Sequence, residues 1–380
     1  MKKYRIDEIT DNLDNLRKPL NSIERSKISK NKLYPYYGAN NLMDYVDEYI
    51  FDEEILCVAE DGGSWGYREK CSYIVNEKCW VNNHAHVLRA KDNLNIAYLS
   101  YYLNYSDLSS SITGTTRGKL TKAALNSIEI LLPELEVQNK IVKILDKAQD
   151  LIYKRKEQIA TLDELVKSKF IEMFGDPVSN PKGWDVGKLG KISSVGSSKR
   201  VFVDELVSEG IPFYRGTEIG ALSTGEKIEP TLFITKEHYE KLKDSTGVPV
   251  IGDLLMPSIC PDGRIWSVDT QMPFYFKDGR VLWIHLENSS IDSMFLKHML
   301  REKFNRDYNK IASGTTFAEL KIFALKDLDI IMPPIEIQKK YSNFVKYTDK
   351  LKFEMEKSLK ELEDNFNSLM EKAFNEELLK

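Results

Sequence analysis

The sequence predicts an α+β protein: two globular domains in a pseudo-two-fold arrangement, separated by two long antiparallel helices that form a coiled coil. Three observations carry this. First, sliding the chain by 200 residues lays 114–174 on 314–374 without a gap, with 15 identities over 61 positions. Leu120, Leu125, Pro133, Glu136, Gln138, Lys140, Leu151, Leu162 and Phe174 are among the identities. An ungapped repeat of that length is one structural unit used twice, and two copies are too few for a solenoid. Second, no Gly or Pro occurs from Glu134 to Phe174, and apolar residues recur there at helical spacing. Third, short β-type runs bounded by Gly, Asn and Asp precede the first repeat.

Composition sets the outer bounds. A chain of 380 residues with 42% hydrophobic and 11% aromatic residues gives each half enough apolar material for its own core. No run of about 18 apolar residues suggests a membrane span. The opening Met1-Lys2-Lys3-Tyr4-Arg5 lacks the apolar core of a signal peptide, so a cytoplasmic protein is expected. Four cysteines fit that compartment as free thiols, and without a CxxC no structural zinc is expected. Cys79, His84 and His86 come nearest to a ligand cluster and read as a buried thiol beside ordinary strand residues; both histidines share a face of that strand. Net charge is −4, and residues 1–125 hold 17 Lys+Arg against 17 Asp+Glu. A chain that grips phosphates alone carries a basic surplus, so any nucleic-acid role leaves part of that grip to a partner.

In chain order, Ile55–Ala59, Ser72–Val75 and 86–89 read as strands, with Trp65 at the tip of the Gly-rich loop 61–66 between the first two. Ile96, Leu99 and Leu103 carry helical spacing. Gly114-Thr115-Thr116-Arg117-Gly118-Lys119 reads equally as a plain surface loop or as a loop aimed at phosphate, and the reading stays open. Pro133 and Pro333-Pro334 mark helix starts, with Glu136 and Glu336 complementing the macrodipole. The seam then runs Leu145, Ala148, Ile152, Ile159, Leu162, Val166, Met173, interrupted by Arg155 and Lys169. In the second copy it runs Leu351, Met355, Leu359, Leu362, Phe366, Leu369. About 40 unbroken residues reach roughly 60 Å, and a narrow seam on so long a helix calls for another helix. Its own repeat, packed antiparallel, is the nearest partner. Gly175, Pro177, Pro181 and Gly183 stop the first helix. After Trp184 a second, diverged domain follows: 211–216 echoes 34–38, and 252–256 echoes 53–57. Asp278-Gly279 between 274–276 and 280–284 is a hairpin signal. The expected segments are 1–132, a helix 133–175, a linker 176–183, a domain 184–332 and a helix 333–380.

The catalytic inventory is nearly empty. There is no GxxxxGK[ST] or GxGxxG phosphate loop, no HExxH and no GxSxG. The Asn-Pro-Pro-Tyr/Phe tetrapeptide of adenine methyltransferases is absent. Asp61, Glu69 and Lys70 imitate a nuclease constellation only poorly. The chain reads as a protein that positions others.

Two diverged domains, each followed by Gly-Thr-Thr, a strand, a proline box and a long helix, resemble the specificity subunit of type I restriction-modification systems. The family's Leu-Pro-Pro-Leu-x-Glu-Gln box is similar to Leu132-Pro133-Glu134-Leu135-Glu136-Val137-Gln138 and to Met332-Pro333-Pro334-Ile335-Glu336-Ile337-Gln338. The passage from Met173 to Trp184 and the closing Ala373-Phe374-Asn375-Glu376-Glu377-Leu378 resemble the family as well. Glu134 and Glu376 depart from it, standing where the family has Pro and Gly, and the first domain lacks an opening like Gly183-Trp184.

The resemblance implies a subunit without catalytic residues or a metal. Its two target-recognition domains would each read half of a bipartite, asymmetric sequence in double-stranded DNA. The helices would set the gap and dock two modification (methyltransferase) subunits, which use S-adenosylmethionine; restriction subunits would add ATP- and Mg-dependent cleavage. Base reading needs Arg for guanine and Asn or Gln for adenine. Candidate readers are Tyr37, Asn40, Asn41, Trp65, Tyr67, Arg68, Asn82 and Asn83 in the first domain. In the second they are Lys199, Arg200, Arg215, Thr217, Arg264 and Arg280. Thr115, Thr116 and Arg117 suit phosphate rather than base, and Lys119, Thr315 and Thr316 are further candidates for DNA contact through base or phosphate. Each has a structural or solvated reading beside it. Candidate docking residues are Pro133, Glu136, Gln138, Lys140, Pro333, Glu336, Gln338 and Lys340. A free-standing DNA-binding regulator that dimerises through its helices, and a nuclease with an unrecognised site, are the alternatives.

Overall fold

The computed structural model describes residues 2–114, 117–286, 290–314 and 318–375. The chain forms two compact units that do not follow its linear order: Met1–Glu157 with Lys357–Lys380, and Gln158–Glu356.

In the first unit, Lys2–Arg5 pairs antiparallel with Glu129–Leu132, returning the chain to its start just before the first long helix. A four-stranded antiparallel sheet follows in the order Thr10–Asn12, Ala85–Ala90, Ile55–Ala59, Ser72–Val75. Every residue of Ile55–Ala59 is buried, which is why that run shows no alternation and lies inside the sheet. A three-stranded sheet places Tyr34–Gly38 between Asn41–Val46, antiparallel, and Trp80–Val81, parallel. The helix Ile96–Tyr105 starts at Asn95, whose carboxamide oxygen accepts from the Ala97 and Tyr98 amides.

The second unit repeats this connectivity. Val186–Lys188 pairs with Asp329–Ile331. The four-stranded sheet runs Ser194–Gly196, Val281–His285, Leu254–Pro257, Trp266–Ser267. The three-stranded sheet places Ile211–Tyr214 between Phe233–Ile234, antiparallel, and Tyr275–Phe276, parallel. The helix Ser293–Ile311 is capped by Asp292. One hairpin differs: the tight turn joining Tyr34–Gly38 to Asn41–Val46 is expanded here into 215–232, which contains the helix Gly216–Ser223. Asp278-Gly279 does form a turn, with Gly279 at φ +63°, but the expected hairpin is overturned. Tyr275–Phe276 pairs with Ile211–Tyr214, whereas Val281–His285 joins the other sheet; Phe274, Phe276 and Val281 share the core between them, while Tyr275 on one arm and Leu282 and Ile284 on the other enter separate cores.

Both long helices have 40 residues, Leu135–Phe174 and Ile335–Phe374. Pro133 precedes the first rather than opening it: the Gln138 amide bonds back to the Glu134 carbonyl. The Gly175 amide donates to the Ile171 carbonyl and Gly175 adopts φ +77°, closing the first helix as a glycine C′ residue does. Each unit holds the start of one helix and the end of the other, antiparallel. In the first unit Ile141, Val142 and Leu145 share a core with Met370, Ala373 and Phe374. The Phe374 ring lies 5.5, 5.3 and 5.2 Å from Tyr98, Tyr102 and Tyr105. In the second unit Val166, Phe170 and Phe174 pack with Tyr341 and Val345, and Phe174 lies 4.7 Å from Phe295. Both plugs thus occupy the same position, 200 residues apart. Ion pairs flank the seam, Lys156–Glu363 in the first unit and Lys352–Asp163 in the second. Leu351 is 36% exposed, so the seam passes through buried Thr348 and half-buried Lys352 instead of the expected leucine.

All four cysteines are free and buried, and burial pushes the Cys71, Cys79 and Cys260 thiols up to about 12, leaving them inert. No helix among the described residues is long and apolar enough to cross a membrane.

Candidate nucleic-acid interface

In the first unit the loops at the ends of both sheets converge. Asn40 and Asn41 form the tip of the hairpin; Asn41 tolerates φ +108°. The Asn40 side-chain carboxamide NH2 donates to the Gly62 carbonyl at 3.1 Å. Asp61 beside it accepts from Arg117 at 2.6 Å and meets His84 Nδ1 at 2.8 Å. Asn83 and Arg117 remain exposed. Lys119 pairs with Glu60 at 3.0 Å. Asn40, Asn41, Asn83, Arg117 and Lys119 are therefore brought together with His84.

Three other candidates are corrected. Tyr37, Trp65 and Asn82 are only 8%, 7% and 3% exposed. The Tyr37 hydroxyl donates to Glu77, and the Trp65 indole N–H to the Ala59 carbonyl. The Asn82 oxygen accepts from the His84 amide. Each polar atom satisfies a neighbour inside the fold, as burial requires. Tyr67 is exposed but pairs with Tyr105, while Arg68 lies over the Tyr67 ring and bonds Glu371 at 3.0 Å, tying the domain to the second long helix.

Beneath this surface lies an ionic network absent from the sequence reading. His86, 1% exposed, faces the Asp14 carboxylate at 2.6 Å and the Leu120 carbonyl at 2.8 Å. Arg17 bridges Asp14 and Glu60 at 3.3 and 2.7 Å. Burial would raise both acids, yet His86 holds the Asp14 carboxyl, and Arg17 and Lys119 the Glu60 carboxyl, below the usual range. Asp14, Glu60 and His86 are spaced as metal ligands could be. The Arg17 guanidinium already occupies the two carboxylates, so a cation does not fit. Cys79 is a buried thiol in a separate apolar cluster, as expected, but the two histidines do not share a strand face: His84 sits in a turn outside the strand that carries His86.

In the second unit a different set converges around the turn Asp278–Arg280. Arg200 reaches Asp278 at 3.2 Å. Arg280 reaches Glu319 at 3.3 Å, which also takes bonds from Ser258 and Lys321. Arg215 is fastened to Glu218 at 2.6 Å, and the Thr217 hydroxyl donates to the same carboxylate. A Cβ on the intervening Gly216 would lie 3.5 Å from the Arg280 carbonyl oxygen. Arg264 pairs with Asp262 and lies against Gly220 of the same helix. Burial pushes Glu218 up, but Arg215 outweighs it and brings the carboxyl to about 2. Lys199 is exposed and, with Arg200, His238 and Lys241, lines a cleft of about 450 Å³ that Glu205 and Glu237 also enter, so it carries both signs. Thr115, Thr116, Thr315 and Thr316 lie outside the described residues.

Sequence reasoning missed the acids that hold these cations. Glu218, three residues after Arg215 at a helix start, was within reach of it; Glu60, Asp278 and Glu319 carry no local signal.

The docking candidates divide. Glu136, Lys140, Glu336 and Lys340 are exposed, Pro133 is half-buried and Pro333 is buried. Gln138 and Gln338 are fully buried and are corrected as docking residues. The Gln138 oxygen accepts from the Asn95 amide, and its NH2 donates to the Asn93 and Pro133 carbonyls. Gln338 repeats this with the Asp292 amide and the Ser290 and Pro333 carbonyls. The repeat preserves this glutamine position because it locks the short helix of each domain to the long one.

One fold used twice, each copy built on the same helical pair and carrying different polar loops, defines a class: a scaffold that presents two recognition surfaces. The family model described as the type I restriction modification DNA specificity domain matches residues 1–161 and 181–364, and the chain belongs to this family. A putative type I restriction enzyme specificity subunit from Haemophilus influenzae is 32% identical over 339 residues, covering 88% of this chain and 83% of its own. The MjaVIII specificity subunit from Methanocaldococcus jannaschii is 25% identical, covering 84% and 80%. The crystal structure of a type I S subunit from M. genitalium shares the fold, with a TM-score of 0.59 at 16% identity over 98% of this chain and 96% of that one. The function is that of a specificity subunit of a type I restriction-modification system.

Proposed function

We propose that each unit reads one half of a bipartite, asymmetric DNA target, and that the chain itself carries no catalysis. The long helices set the gap: two half-sites one duplex turn apart are about 34 Å apart, within the roughly 60 Å a 40-residue helix covers. Two modification subunits supplying S-adenosylmethionine chemistry dock on the helices, and restriction subunits with ATP and Mg join through them, in the cytoplasm. The observation that carries this reading is one topology repeated with different loop chemistry, which suits an asymmetric target. Phosphate contacts from the partners offset the chain's net charge of −4.

The docking patches we favour are one on each unit, Leu151 and Tyr153 on the first helix and Leu351 and Phe353 on the second, exposed at equivalent positions of the repeat. Tyr153→Asp and Phe353→Asp should each weaken modification-subunit binding by a similar factor; unchanged assembly of both variants would remove these patches. A regulator dimerising through its helices fits less well, because each unit already pairs both helices within one chain. A nuclease at Asp61, Glu69 and Lys70 is disfavoured because Asp61 is engaged by Arg117 and His84.

The test is modified-base sequencing of DNA from cells making this chain with its methyltransferase. One split, asymmetric methyladenine motif is expected; no motif from an assembled complex would overturn the reading.

A further inference from the structure

The shared topology lets the reading loops of the two units be compared position by position. The loop after the central strand of the three-stranded sheet carries Asn40 and Asn41 in the first unit, and Arg215 and Thr217 in the second. The loop after the parallel strand carries Asn83 and His84 in the first, and Asp278 and Arg280 in the second. Amides thus stand in one unit where guanidiniums stand in the other.

Chemistry assigns these groups different bases. A guanidinium matches the N7 and O6 acceptors of guanine with two donors, whereas a carboxamide matches the donor–acceptor edge of adenine. The arginines are pre-oriented: the Arg215 guanidinium donates two bonds to Glu218, whose carboxylate also accepts from the Arg215 backbone amide, and Arg280 is held by Glu319, which Ser258 and Lys321 hold in turn. A fixed guanidinium loses less freedom on binding. Beside Asn41, the strand exposes Leu42 and Met43, 45% and 57% accessible, and apolar side chains suit the thymine methyl. Arg117 in the first unit is likewise held by a carboxylate, Asp61 at 2.6 Å, and the role expected of it is phosphate rather than base.

We propose that the two half-sites differ in composition: the first unit reads an A·T-dominated half through Asn40, Asn41 and the adjoining apolar strand, and the second reads a guanine-containing half through Arg215 and Arg280. This rests on the reading of the chain as a DNA specificity subunit and names what each of its surfaces selects.

The methylome experiment tests it with three variants: Arg215→Lys, Arg280→Lys and the pair Asn40→Ala with Asn41→Ala. Lysine keeps the charge and can keep the ion pair, so folding is preserved while the two-pronged contact is lost. A hybrid carrying a relative's 176–332 shows which half belongs to the second unit. That half should hold more specified G·C pairs than the other. Each lysine variant should lower guanine preference at one position of that half by about tenfold to a hundredfold, leaving the other half unchanged. The asparagine pair should relax A·T positions in the first unit's half alone. Equal or reversed G·C content overturns the proposal, as do lysine variants that lower methylation evenly without altering the motif. Absence of any split motif overturns the specificity-subunit reading itself, so the two failures are distinguishable.

Discussion

The two units solve one structural problem with opposite chemistry. Each must hold the strand that follows its Gly-Thr-Thr loop against the end of the four-stranded sheet. Leu120 bonds through its amide to the Glu60 carbonyl, and Leu320 likewise to the Ser258 carbonyl. In the first unit this junction stands on buried His86 and half-buried Asp14, Arg17 and Glu60. In the second the ladder position matching His86 is Leu282, buried in the apolar core, and the surface charge is inverted: Glu319 replaces Lys119. A charged junction and an apolar one can be equally sound, since buried ions are tolerated when every one is paired. They fail differently.

The largest expected contrast comes from Arg17→Ala. It leaves half-buried Asp14 and Glu60 without their guanidinium and should cost about 3 kcal/mol, the lower end of the penalty for breaking a buried pair. Hydrogen exchange should show the loss in the first unit's core amides and none in Leu254–Pro257. Uniform protection in the variant would refute the network's role.

Acid sharpens the contrast. Burial, with Lys297 and Arg301 nearby, depresses the His298 imidazole to about 3, so the unfolded chain binds a proton the folded unit refuses. That contribution is full above about pH 6.5 and drains as pH falls toward 3, by about 2–3 kcal/mol near pH 4.5. Burial raises Asp349 and Glu302 in the same unit, and their protonation works in the opposite direction, so the comparison is wild type against His298→Gln. The variant should lose less stability on acidification. The first unit, with Asp14 and Glu60 held below their usual range, should keep their contribution until pH drops under about 4. Identical acid profiles for wild type and variant would end this account.

Where the units agree, the effects should agree. Gln138→Ala and Gln338→Ala each strand one amide N–H and two carbonyls, costing about 1–3 kcal/mol, equal in the two units. A large inequality in denaturant midpoints would mean the two locks are not equivalent. Smallest of all, Lys156→Ala and Lys352→Ala remove exposed ion pairs and should each cost under about 1 kcal/mol.

What was legible in the sequence follows the same division. The existence of both long helices was readable, since an uninterrupted 3.6-residue pattern that Gly175 closes has one physical solution; the end of the second, with no such glycine, was not. The buried strand Ile55–Ala59 was equally plain. Trp65 was not: a Gly-rich loop suggests an exposed tip, and only the fold reveals the carbonyl awaiting the indole. Asp278-Gly279 specified a turn but not which sheets its two arms would join. Gln138 was noticed through its repeat and misread, because docking and internal bracing leave the same trace in a duplicated chain. The candidate interface was legible as a set of polar types, not as pairs. The carboxylates that aim the arginines lie up to 78 residues away in sequence.

The exchanged phenylalanines have a further consequence for heredity. Phe174 ends the helix of the first repeat but completes the core of the second unit, and Phe374 does the converse. The segment that is inherited is therefore not the segment that folds. A recombination event that replaces one set of reading loops while sparing the shared helix ends delivers a new surface onto a socket already fitted. On the proposed reading, such an exchange would rewrite half of the address while the joinery stays unchanged.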